Sequence, residues 1–374
     1  MKRNEKNPYR LLRLLLPVML LLLGACSKNS KSHVDTREVV DMAGRRMAVP
    51  LVIKKVYSTR PGSVVLYAVA PDLMVNRSLW MTDGSEKFMS EAYLKLPFAD
   101  GSAEEIIKFH PDVIISYFNI NPRSIEEADR LSAKTGVPVF MVDMDMKRYQ
   151  KAFAAMGELL GRKEQTDRMS RYVETWLNPV FDKAGKISDS AKKRIYYAEG
   201  NMGLNTDPSG SFHSEVIDLV GGVNVAKVQL LSGKGMSGVS MEQILQWNPD
   251  VVIVWTGMGP ALTTYRNISN DPLWAKLPAV REHRIYQVPC QPFGWFDRPP
   301  GTNRILGALW LANLLYPEVY HIDLERATRE YFSLFFHRDL SDAELREIQN
   351  PLSSASGSKG QIEKKSKGHD EASR

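Results

Sequence analysis

The order of apolar and polar positions contains one unit twice. Glu104-Glu105-Ile106-Ile107-Lys108-Phe109-His110-Pro111-Asp112-Val113-Ile114-Ile115 and Glu242-Gln243-Ile244-Leu245-Gln246-Trp247-Asn248-Pro249-Asp250-Val251-Val252-Ile253 keep glutamate, isoleucine, Pro-Asp and valine in one register. Each reads as a short helix, a break and a buried strand. An aromatic follows each apolar run, Tyr117 in one copy and Trp255 in the other. A repeat this widely spaced is too long for a solenoid. It predicts two similar α/β lobes, each with a glutamate at the start of the same helix. Ser102 and Ser240 precede those glutamates by two positions and suit N-caps.

The rest of the pattern fills in around the repeat. Val39–Pro50 alternates about Ala43-Gly44 and predicts a hairpin. A strand is expected over Val52–Tyr57, then a break at Arg60-Pro61-Gly62 and a helix through Val69. Strands at Val113–Ser116 and Gly136–Val142 alternate with helices, which indicates a parallel sheet. Lys147–Leu160 is amphipathic and stops at Gly161. Lys163–Phe181 is again helical, with Met169, Tyr172, Val173 and Trp176 on one face. A long helix there would connect the lobes rigidly. The second lobe begins at Arg194–Tyr197. A Gly/Ser/Asn/Pro loop covers Gly200–Ser211, and a helix runs from His213 to Gly221-Gly222. A strand at Arg284–Val288 and a helix at Asn303–Leu315 complete it. The domain organisation expected is a first lobe at 39–146, a helical linker at 147–186 and a second lobe at 187–350. A polar tail at 351–374 has too little apolar content to fold.

The amino terminus is a different kind of segment. Lys2, Arg3, Lys6, Arg10 and Arg13 precede an apolar run, Leu14–Leu23, that ends in Gly24-Ala25-Cys26. A span needs about 20 apolar residues, so this run is a secretory signal. Its exit resembles a bacterial lipobox, which implies cleavage after residue 25, a lipid on Cys26 and a flexible tether over 26–38. The mature protein is then exported and lipid-anchored to the cell envelope. The net charge of +6 sits in residues 1–25 and 351–374. The body between them is neutral and gives no argument for nucleic acid. Apart from Cys26 there is one cysteine, Cys290, so no internal disulfide is expected.

No catalytic constellation is present. The seven histidines include no pair at i, i+4, and there is no Gly-x-Ser-x-Gly elbow and no phosphate loop. The chain is read as a non-enzyme with no metal site and no resident cofactor. The densest loop is Gly294-Trp295-Phe296-Asp297-Arg298-Pro299-Pro300, placed after a strand and before a helix, where α/β sheets hold ligands. Two aromatics and an arginine there can stack on and pair with a bulky anion. The opposing possibility is a packed turn with Trp295 and Phe296 in the core and Arg298 paired to Asp297. Arg60, Tyr117, Phe212, His213 and Trp255 stand at other predicted strand ends or helix starts and complete the candidate ligand-binding set.

Taken together, these segments resemble a known family: the substrate-binding proteins of ATP-driven importers that take up iron–siderophore complexes, haem and vitamin B12. The likeness runs from Val39 to Pro317. It is carried by the lipobox, Asp41-x-x-Gly44-Arg45, both repeat units, Gly221-Gly222-Val223-Asn224 and Trp295-Phe296-Asp297-Arg298. It implies an α/β fold of two Rossmann-like lobes with central parallel sheets, joined by a single long helix, with the ligand in the cleft between them. It also implies a membrane permease and an ATPase as partners, with Glu104 and Glu242 docking on permease arginines, and a monomer. An iron–siderophore complex is the first ligand expected. Vitamin B12, haem, a nickel or cobalt chelate and a molybdate-type oxyanion stay open. So do two other functions: an exported hydrolase or thiol enzyme using Cys290, and a structural lipoprotein binding proteins through its aromatic loop.

Overall fold

The computed structural model describes residues 35–79, 81, 84–99, 101–230, 235–255 and 263–349. Cys26, the amino-terminal apolar run and the segment 351–374 lie outside the described residues. Among the described residues no helix is long and apolar enough to cross a membrane.

A hairpin opens the described chain. Strands β1 (Thr36–Val40) and β2 (Arg46–Pro50) pair antiparallel. Asp41 makes their turn: its Oδ1 accepts from the backbone of Ala43 at 2.9 Å and of Arg45 at 3.0 Å. Gly44 sits at φ +80°, where glycine carries no steric penalty. Asp41 Oδ2 also accepts from Met141 N, and the Arg45 guanidinium donates to Val139 O. The Asp41-x-x-Gly44-Arg45 motif is therefore both the turn and the clasp that holds the hairpin to the first sheet.

That sheet is parallel, in the order β3 (Val56–Ser58), β4 (Val113–Phe118), β5 (Val139–Asp143). The second sheet is also parallel, in the order β11 (Ile285–Gln287), β10 (Val251–Val254), β6 (Arg194–Ala198), β8 (Val223–Asn224). A small antiparallel pair, β7 (Asn205–Thr206) with β9 (Ser237–Gly238), flanks it. The central strands β4 and β10 are apolar runs because both sheet faces are covered. β3 is shorter than the strand expected over Val52–Tyr57. The amides of Lys54 and Lys55 are taken by the Asp112 carboxylate, which ends the ladder there.

The repeat read in the sequence is repeated in space. Helices Ala103–Phe109 and Met241–Trp247 are capped by Ser102 and Ser240, whose hydroxyls accept from Glu105 N and Gln243 N. Both helices end on a left-handed residue, His110 at φ 47° and Asn248 at φ 42°. Each then turns through Pro-Asp into the central strand of its sheet.

The connecting segment is helical on either side of a break at Gly161-Arg162. Helix Tyr149–Leu160 ends at Gly161, with φ +67°. Helix Lys163–Tyr172 continues through a π-helical turn at Val173–Leu177 into Asn178–Ala184. The two helices touch where Gly157 faces Thr166. A Cβ on Gly157 would lie 2.1 Å from Thr166 Oγ1, so only glycine permits the approach.

Residues beyond Tyr316 form helices Pro317–Tyr320, Leu324–Phe335 and Asp342–Gln349. Leu324–Phe335 is amphipathic and buries Ala327, Tyr331, Phe332 and Phe335. It returns to the first lobe and the linker. The Tyr172 hydroxyl donates to Ala327 O at 2.8 Å, and Gln165 donates to both Leu334 O and Ala68 O at 2.8 Å. Phe332 packs on Phe88, and Tyr331 meets Thr302 of the second lobe through their hydroxyls at 3.0 Å. Burying one such aromatic stabilises by about 1.5–3 kcal/mol. The main core is accordingly continuous, running from Val56 and Phe140 through Tyr172 and Tyr331 to Ile195 and Trp295.

Candidate ligand-binding site

The carboxyl ends of both parallel sheets meet along one seam. The Tyr149 hydroxyl donates to Gly301 O at 2.9 Å, and a Cβ on Gly301 would come within 2.9 Å of Val64 Cβ. Arg304 has no exposed surface and is the central buried cation of the seam. It pairs with Glu215 and donates to Met144 O and Phe212 O at 3.4 Å, so it ties the end of β5 to the second lobe. Burial opposes its charge, yet Tyr149 and Glu215 more than offset that, and its pKa is raised. A groove of about 400 Å³ opens beside this contact, lined by Asn119, Asp143, Asp145, Lys147, Glu215 and Leu219.

Arg298 is the most constrained side chain of the second lobe's rim. Its Nη1 reaches Glu199 Oε1 at 2.7 Å, its Nη2 reaches Asp207 Oδ2 at 2.8 Å, and it also pairs with Asp297. Its guanidinium carbon stands 5.0 Å from the Trp255 ring centroid, a cation–π contact, and its side chain keeps 21% exposure. Burial works against the charged guanidinium, but Asp297 and Glu199 outweigh it and raise its pKa. Glu199 responds in the opposite sense. Burial, then the charges of Asp297 and Asp207, push its carboxyl up to about 9 against the pull of Arg298. Asp297 is further held by the Tyr197 hydroxyl at 3.1 Å and by His213 Nδ1 at 2.8 Å. Donor atoms of Asp207, His213 and Asp297 lie within 4.8 Å of one another. The Arg298 guanidinium stands among these same carboxylates.

The other residues singled out in the sequence fall into three groups. Trp255 and Phe212 are half-buried beside Arg298 and His213, with the Phe212 ring 3.8 Å from the His213 ring. Arg60 is exposed in the loop after β3. Tyr117, by contrast, is buried against the linker with 1% exposure, while its neighbour Phe118 is 42% exposed. Trp295 and Phe296 have no exposed surface. The Trp295 indole donates to Gln291 O, and Phe296 packs on Tyr197 and Trp310. The aromatic loop is thus a packed turn that delivers Arg298 to the rim, and its two large rings face the core instead of the cleft. Glu199, Asp207 and Arg304 were not singled out in the sequence. Glu199 directly follows a strand and Asp207 stands in the Gly/Ser/Asn/Pro loop, positions where a carboxylate signals a ligand or an arginine.

Glu104 and Glu242 are both exposed, each in the first turn of its capped helix. Contacts to its own backbone and to Ser240 lower the Glu242 pKa. Cys290 is half-buried.

Residues 67–292 match the periplasmic binding protein family. The chain is a periplasmic binding protein. Among its relatives, the molybdate-binding protein MolA of Haemophilus influenzae is 28% identical over 182 residues, 48% of this chain and 49% of MolA. The chain thus spans about half the length of that relative. An ABC transporter substrate-binding lipoprotein of Bacillus subtilis, YvrC, is 23% identical over 82% of this chain and 96% of its own length. A solute-binding protein of an ABC transporter from Sulfurospirillum deleyianum superposes with a TM-score of 0.77 at 31% identity, covering 83% of this chain and 98% of that one. The molybdate-bound MolA structure shares the fold at a TM-score of 0.63 and 19% identity. As a periplasmic binding protein, the chain belongs with solute-binding subunits of ABC importers, whose ligands differ between relatives.

Proposed function

We propose that this periplasmic binding protein captures an anionic metal complex, a ferric siderophore or similar chelate, at the seam between its lobes. It then delivers that cargo to a membrane permease driven by an ATPase. The observation that supports the reading is Arg298 of the second lobe, bonded to three acids, partly exposed and with one face on Trp255. Phe212 lies against His213, which bonds Asp297, and Arg60 and Phe118 stand at the strand ends of the first lobe. The partly exposed guanidinium edge and the Trp255 face suit stacking on a large, delocalised ligand, while the guanidinium's charge is already met by its acids. The protein acts as a carrier and not as a catalyst. Glu104 and Glu242 are its contacts with permease arginines, and Cys26 carries the lipid that keeps it at the envelope.

A second reading has a specific support. The relative MolA is named for molybdate, and an arginine at the edge of a lobe also suits a small oxyanion. Native mass spectrometry with elemental analysis of protein purified without denaturation separates the two. Iron with an organic chelator supports the first reading, and molybdenum or tungsten without one supports the second. A ligand free of metal would overturn both.

A further inference from the structure

Around Arg298 the charges do not balance. Glu199, Asp207 and Asp297 are each at most 1% exposed, and all three contact the same guanidinium. Three carboxylates this close in a dry interior cannot all be ionised against one positive charge, so one of them holds a proton. The hydrogen bonds identify which. Asp297 accepts from Tyr197, His213 and Arg298, and Asp207 accepts from Ser211 and Arg298. Glu199 accepts only from Arg298, on Oε1, and its buried Oε2 meets no donor. Its side chain lies within hydrogen-bond reach of the Asp207 carboxylate, a contact that requires a proton on one of the two acids. Ionisation would therefore cost most at Glu199.

We infer that Glu199 is a positioning residue for Arg298, which it holds over Trp255 as a neutral, proton-bearing carboxyl, and that loss of this proton draws the guanidinium deeper among the acids. The groups that face Glu199 come from every element around it. They are Tyr196 and Tyr197 on its own strand, Asp207 from the loop after β7, and Asp297 and Arg298 from the loop after β11, with His213 behind Asp297. The raised Glu199 carboxyl agrees with this order of protonation. The inference deepens the ligand reading, because Arg298 is the anion anchor proposed above. In that role an ionised Glu199 would oppose an incoming anion.

The test needs no ligand. Infrared difference spectra of the full chain, taken between pH 7 and pH 10, should show the loss of a protonated-carboxyl C=O band that Glu199→Gln lacks. In parallel, the Arg298 side-chain resonance of the ¹⁵N-arginine-labelled chain, assigned with Arg298→Lys, should shift between those pH values in the wild type. In Glu199→Gln it should stay sharp and fixed, because a neutral amide reproduces the protonated acid. Absence of a Glu199 carboxyl band at pH 7 overturns the proton assignment. An Arg298 resonance that moves equally in the wild type and Glu199→Gln overturns the positioning role. Since neither measurement involves cargo, a protein found to carry no anion would sink the proposed function and leave these two results standing.

Discussion

Asp112 and Asp250 make the same bond in the two lobes. Asp112 Oδ2 accepts from the amides of Lys54 and Lys55 at 2.7 and 2.9 Å, and Asp250 Oδ2 accepts from the amide of Arg194 at 2.8 Å. In each lobe the Pro-Asp of the repeat thereby fastens the central strand to the approach of the neighbouring one. The expected cost of Asp112→Ala or Asp250→Ala is about 1–2 kcal/mol of stability. Urea unfolding should show both losses, and they should add, since the sites share no partner.

Charge reversal at Glu104 and Glu242 should spare the fold and the cargo while stopping import. Both carboxylates are exposed in first helical turns, where a local dipole contact is worth about 0.3–1 kcal/mol. Against the permease arginines proposed above, the reversed charges would cost several kcal/mol at docking, of order 100-fold or more. Vesicles holding the purified importer give the readout. Normal uptake with Glu104→Arg/Glu242→Arg would reduce these glutamates to helix starts.

Trp295 and Trp255 should part company on mutation. Trp295 is wholly enclosed, so Trp295→Ala is expected to cost about 3–5 kcal/mol of stability. Trp255 is half-buried under Arg298, so Trp255→Ala should leave the fold nearly intact and weaken cargo binding by about tenfold to a hundredfold. Thermal melts and titration with the identified cargo distinguish them. Equal binding by Trp255→Ala would remove the aromatic face from the site.

Stability should fall as the solution becomes alkaline. The folded Glu199 carboxyl is raised from the usual 4.5 to about 9, so the folded state keeps a proton that the unfolded chain has already lost. Its contribution is fully present below pH 4.5 and disappears as the pH rises through about 9. Between pH 5 and pH 9 the wild type should lose at least about 1 kcal/mol relative to Glu199→Gln. Parallel stability curves for the two proteins would mean the carboxyl is not protonated in the fold.

Cys26→Ala should prevent lipid attachment and leave the precursor unprocessed. Metabolic labelling with a radioactive fatty acid is the check, and label entering the variant would rule out Cys26 as the acceptor.

The larger architecture was legible because it follows from periodicity. Two apolar runs behind Pro-Asp gave the two central strands, Gly44 gave the hairpin turn, and Gly161 gave the end of the first linker helix. The site was less legible. Trp295, Phe296 and Arg298 are adjacent in the chain but diverge in space, because the loop sends both rings to the core and the cation to the rim. A spacing pattern cannot show that divergence. Glu199 and Asp207 were missed for a related reason, since a buried acid is recognisable only beside the arginine it serves. Helix Leu324–Phe335 was missed because its charged face masked Tyr331, Phe332 and Phe335, which fall on one side only when the segment is wound as a helix.

That returning helix limits how the molecule can open. It is fastened to the linker through Tyr172 and Gln165 and to the second lobe through Tyr331 and Thr302. A wide swing of one lobe from the other would have to strip it away. The protein is therefore built as a socket and not as a pair of jaws. On the proposed function, cargo would then pass by movement of rim side chains such as Phe212 and Phe118, and Glu104 and Glu242 would keep nearly the same separation whether the socket is filled or vacant.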